Sequence, residues 1–129
     1  MGLFSKSSLD YVVQIIELTK KIKSKIRKNR IEDAKRLIRS ILKFNIKEFN
    51  KIEEETGSKE LLDECKQVYL MSNEALEDLN KNDLRKVNEI LQRIINLEEN
   101  EILIKVKKYQ EIKRELKKRK LDIDRIADG

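Results

Sequence analysis

Residues 9–52, LDYVVQIIELTKKIKSKIRKNRIEDAKRLIRSILKFNIKEFNKI, read without a gap onto residues 62–105, LDECKQVYLMSNEALEDLNKNDLRKVNEILQRIINLEENEILIK. In that register Leu9/Leu62, Asp10/Asp63, Gln14/Gln67, Lys28/Lys81, Asn29/Asn82, Ile41/Ile94 and Glu48/Glu101 are identical, and about fifteen positions pair apolar with apolar. Within each segment the apolar residues recur three and four apart, the spacing of one helix face. A self-match at a fixed offset marks a repeated structural unit, and here that unit is a helical hairpin.

Working outward, Ser7 followed by Asp10 predicts the start of a first helix that runs to about Arg27. Asn29 with Glu32 three residues on reads as the cap of a second helix to about Thr56. Gly57 is the residue able to close that helix in the left-handed conformation, and Ser58 can cap the third, residues 59–80. The fourth begins near Asp83. The polar run Glu98-Glu99-Asn100-Glu101 interrupts its apolar stripe, but none of those residues forbids a helix. One long helix to about Ile126 is the preferred reading, with a bend near Glu99 as the alternative.

Helices joined by two-residue turns must be antiparallel neighbours. The expectation is an all-α, antiparallel up-down-up-down four-helix bundle from two similar helical hairpins, with a long C-terminal helical extension. Its bundle spans residues 1–109, with hairpin one over about 7–56 and hairpin two over about 59–109, and residues 110–129 form a basic amphipathic tail. The segment Asn29-Arg30-Ile31-Glu32-Asp33-Ala34 resembles the second helix of a tetratricopeptide module. The repeat spacing exceeds that module's period of about 34 residues, and its Trp, Gly and Pro positions are missing, so the bundle is preferred.

A chain of 129 residues with 39% hydrophobic content is long enough for a single core without disulfide or metal staples. Charged residues make up 42% and proline is absent, a composition that suits a very stable, thermophile-like protein. The lone Cys65 allows no intramolecular disulfide, reads as a small core residue, and favours a cytoplasmic location. No apolar stretch is long enough to span a bilayer, so a membrane partner is not expected.

Histidine is absent, which removes the commonest general base, His-based nucleophile pairs and imidazole metal sites. The three glycines, Gly2, Gly57 and Gly129, cannot build a phosphate-cradling loop. The carboxylates Glu53, Glu54 and Glu55 read as a solvated helix end. No catalytic residue, cofactor or metal is therefore expected, and the chain is read as not an enzyme.

Charge is unevenly spread. Residues 1–57 hold 14 basic and 8 acidic side chains, residues 58–100 hold 6 and 10, and residues 101–129 hold 10 and 6. Complementary faces of this kind suit self-association. The basic residues concentrate in two runs: Lys20, Lys21, Lys23, Lys25, Arg27, Lys28 and Arg30, then Lys113, Arg114, Lys117, Lys118 and Lys120. Cations at the end of the first helix favour its dipole, and both runs are candidate phosphate contacts for nucleic acid bound without sequence preference. The tail also carries Tyr109, Ile112, Leu116, Ile123 and Ile126 at spacings of three, four and seven, a candidate association seam. That seam can serve a second copy or fold back onto the bundle.

The leading functional expectation is a non-enzymatic interaction or scaffold protein whose partner is another protein or a second copy. The alternative is a sequence-nonspecific nucleic-acid-binding protein.

Overall fold

The computed structural model describes residues 6–128, and their side chains except for residues 6–9, 105, 108, 109, 112 and 120–128. Four helices follow one another: α1 (Lys6–Arg27), α2 (Ile31–Glu55), α3 (Lys59–Asn80) and α4 (Leu84–Asp128). Among the described residues there is no strand. Each helix packs against its two sequence neighbours, and α1 packs against α4, which closes the ring. Lys23 meets Gln92 at 2.7 Å and Lys20 meets Glu99 at 4.0 Å. Moving forward along α1 is moving backward along α4, as an up-down-up-down order requires.

The turns show why the chain reverses where it does. Asn29 and Asn82, equivalent in the two hairpins, both take the left-handed conformation, with φ of 58° and 61°. The Arg30 N–H bonds the Lys25 carbonyl at 2.8 Å, and the Asp83 N–H bonds the Asp78 carbonyl at 2.9 Å. Asn29 and Asn82 donate to Ile26 and Leu79 at 3.0 and 3.1 Å. This is the Schellman closure, which satisfies carbonyls left over at a helix end. Asn29 therefore ends α1 rather than capping α2. The capping position belongs to Arg30, which makes no capping bond from its side chain and instead pairs with Asp33 at 2.8 Å. Its counterpart Asp83 does cap, accepting from the Lys86 N–H at 3.3 Å. Gly57, at φ 60°, closes α2, and Ser58 Oγ accepts from the Leu61 N–H at 3.5 Å.

The core repeats across the hairpins. Val12/Cys65, Ile15/Val68, Ile22/Ala75, Ile26/Leu79, Ala34/Val87, Ile38/Leu91 and Ile41/Ile94 are all buried. The polar pairs Thr19/Ser72, Asn45/Glu98 and Tyr11/Glu64 are buried as well. Two sequence expectations are corrected here. Glu98 does not interrupt the inner face but points into it, fully buried, while Glu99 beside it is exposed. Tyr69, which the apolar spacing of residues 59–80 places on the inner face, is 38% exposed.

The fourth helix is continuous for 45 residues, with no break at Glu98 to Glu101. Beyond Ile102, the last residue of α4 seated against the core, every described side chain of α4 is exposed. The extension is thus a helix projecting from the bundle end that carries the start of α1 and the α2–α3 turn. A continuous helix cannot return, so the fold-back reading of the tail is set aside.

Candidate interaction surfaces

Between α2 and α3 an apolar groove of about 300 Å³ opens to solvent, lined by Asn45, Ile46, Phe49, Cys65, Lys66, Tyr69 and Leu70. Positions 42, 46 and 49 on α2 and 66, 69 and 70 on α3 recur three or four apart, so each helix presents a stripe beside its core stripe. Ile46 is 48% exposed and Leu70 is 65% exposed. A single exposed Leu needs no explanation; here Ile46, Tyr69 and Leu70 gather along one groove.

Beneath the groove lies a buried hydrogen-bonded network. Asn45 Nδ2 donates to the Tyr11 hydroxyl at 2.5 Å and to the Cys65 carbonyl at 3.0 Å, and the Tyr11 ring stacks on Phe44 with centroids 5.4 Å apart. Burial, chiefly, pushes the Cys65 thiol up to about 12, with the carboxylates of Glu64, Glu48 and Glu98 acting in the same direction. Burial likewise raises the Tyr11 hydroxyl well above its ordinary range, helped by Cys65 and Glu98. A thiol held protonated is a poor nucleophile. Cys65 holds a structural place in this network.

The two basic runs lie apart. Lys20, Lys21, Arg27, Lys28 and Arg30 are exposed, whereas Lys23 and Lys25 are half-buried and Lys23 is held by Gln92. Lys113, Arg114, Lys117 and Lys118 are exposed on the extension, and the side chain of Lys120 lies outside the described residues. From Gln92, beside Lys23, to Lys117 is a path of about 37 Å along one helix at about 1.5 Å per residue. The fold builds two separate basic faces at opposite ends.

Of the seam on the extension, Leu116 is 61% exposed, and Leu103, Ile104 and Val106 are exposed before it. The side chains of Tyr109, Ile112, Ile123 and Ile126 lie outside the described residues. Glu53, Glu54 and Glu55 are exposed, as a solvated helix end should be. Among the described residues no group of His, Cys, Asp and Glu is arranged to hold a metal, and no helix is long and apolar enough to cross a membrane.

Sequence reasoning missed Ile46, Phe49, Tyr69 and Leu70 as a surface. The signal was present: Ile46 and Leu70 fall off the core stripe, where an exposed helix face ordinarily carries charge. No known protein family, curated protein or solved structure matches this chain.

Proposed function

We propose that this chain is a non-enzymatic interaction protein that works by protein–protein association through the α2–α3 groove and the α4 extension. The observation that carries the reading is the exposure of Ile46, Tyr69 and Leu70 around one groove. The groove favours helix-in-groove recognition, in which an amphipathic helix lays its apolar face between two others. The Cys65 thiol beneath the groove is buried, and burial raises its pKa, which disfavours a nucleophilic role for it.

The test is photo-crosslinking from position 70 in the native cell, with a photoreactive amino acid in place of Leu70. A discrete protein adduct, lost when Ile46→Lys is added, is the expected result. Absence of any protein adduct sinks the reading.

A second reading, nonspecific nucleic-acid binding, draws on the exposed basic residues of α1 and of the extension. Binding of this kind should weaken steeply with salt. Anisotropy titrations of single- and double-stranded RNA and DNA at two salt concentrations test it. Charge reversal at Lys117 and Lys118 should then weaken binding uniformly across sequences, and a flat response removes the extension from the site.

A further inference from the structure

The repeated hairpin supplies its own control for the α2–α3 groove. The pair α1 and α4 packs as the equivalent of α3 and α2, so each position of the groove has a counterpart on the opposite side of the bundle. Leu70 corresponds to Glu17 and Ile46 to Glu99, and both glutamates are exposed, with Glu99 near Lys20 at 4.0 Å. The exchange runs the other way only at Lys66, whose counterpart Val13 is 39% exposed. The hairpin therefore folds with charge at the two places where the groove exposes its most prominent apolar side chains. Packing does not require Ile46 and Leu70 to be apolar, and an occupant does.

Charge and length point to what that occupant is. Along α3 the acidic Glu60, Asp63, Glu74 and Glu77 are exposed against the basic Lys59 and Lys66, with Lys66 on the groove itself, while residues 101–129 carry ten basic against six acidic. The extension is amphipathic in sequence, and its described side chains beyond Ile102, Leu103, Val106 and Leu116 among them, are exposed. From Ile102 to Asp128 it is about 39 Å long, enough to follow the whole of α3 at about 33 Å. It leaves the bundle at the end where α3 begins. Two copies meeting at that end, related by a two-fold axis across their length, bring each extension along the other's groove. Leu116 lies about 21 Å beyond Ile102, and Leu70 about 17 Å from the start of α3, so the two fall within about one helical turn of each other.

We propose that the α2–α3 groove receives the α4 extension of a second copy of this chain, reciprocally, in an end-to-end dimer. Such a contact is isologous and closes at two copies instead of growing into a filament. The proposal rests on the association reading above and specifies its partner.

The test uses full-length chains. Sedimentation of the wild type across a concentration series should give twice the monomer mass, and Leu70→Lys should give the monomer with unchanged helicity. A mixture of Leu70→Cys chains and Leu116→Cys chains, treated with a short bis-maleimide, should yield a covalent dimer, as should Ile46→Cys chains mixed with Leu116→Cys chains. Neither partner alone should do so to the same extent. Cys65, 1% exposed, stays in place, and the wild type treated in the same way gives the baseline for its reaction. A monomer at every concentration overturns the proposal, as does a dimer in which neither pair crosslinks. If photo-crosslinking from position 70 captures a protein of a different mass, the association reading stands and the second copy is wrong. If it captures nothing, both fall.

Discussion

Asn45 on α2 and Glu98 on α4 hold equivalent, buried places in the two hairpins, and both act on Tyr11: Asn45 by a hydrogen bond at 2.5 Å, Glu98 through its charge. Symmetry of burial with asymmetry of chemistry gives the bundle a polar junction, where α1, α2 and α3 are tied by one amide. Asn45→Leu keeps the branched shape but removes the donor for the Tyr11 hydroxyl and the Cys65 carbonyl. A buried acceptor deprived of its donor costs about 1–3 kcal/mol. Urea unfolding should show a loss in that range, and a change below about 0.5 kcal/mol, the scatter of ordinary surface substitutions, would remove the junction from the account of stability.

The apolar core predicts a matched pair. Ile41 and Ile94 are the same residue at equivalent positions, 1% and 0% exposed. Ile41→Ala and Ile94→Ala should each lose about 2–5 kcal/mol from transfer and cavity effects. Leu70→Ala, on the groove rim, should change the stability of the separated chain by less than about 0.5 kcal/mol. Chemical denaturation at low protein concentration measures all three, and a large loss at Leu70 would make it part of the core.

Much of this fold is legible in the sequence because helix periodicity and the two-residue turns are local signals. The stripe of Val12, Ile15, Ile22 and Ile26 and its echo at Cys65, Val68, Ala75 and Leu79 follow directly from spacing of three and four. Glu98 is misread for a physical reason: a carboxylate is ordinarily too costly to bury, so polarity places it outside. Asn29 is misread because asparagine serves both as an N-cap and as a left-handed terminator, and only the backbone torsion separates the two. The groove is harder still. Ile46 and Leu70 become informative only when set beside Glu99 and Glu17, a comparison that needs both the repeat register and the packing of α1 on α4.

The two left-handed asparagines carry their own test. At φ of 58° and 61° a residue with a Cβ is strained unless a short polar side chain helps, and glycine is not strained at all. Asn29→Ala and Asn82→Ala should each cost about 1 kcal/mol, whereas Asn29→Gly and Asn82→Gly should cost nothing or stabilise slightly. Thermal unfolding of the four variants decides it. Equal losses for alanine and glycine at either position would mean that the side chain, not the torsion, is what the turn needs.

The buried thiol links stability to pH with a definite sign. Cys65 is raised from 9.0 to about 12 by burial in the folded chain. Below about pH 9 both folded and unfolded chains keep the thiol proton, and the difference has no effect. Between about pH 9 and the raised value only the unfolded chain releases it, so stability falls as pH rises, by up to about 1.4 kcal/mol per pH unit. The raised Tyr11 hydroxyl adds in the same direction above its own ordinary range. Going from about pH 8 to about pH 10, the wild type should therefore lose about 1 kcal/mol more than Cys65→Ala, whatever the stabilities of the two at neutral pH. Urea midpoints at the two pH values provide the comparison. Parallel losses in the two proteins would mean that the thiol is reached by solvent, and prompt labelling of native Cys65 by a thiol reagent at about pH 8 would show the same directly.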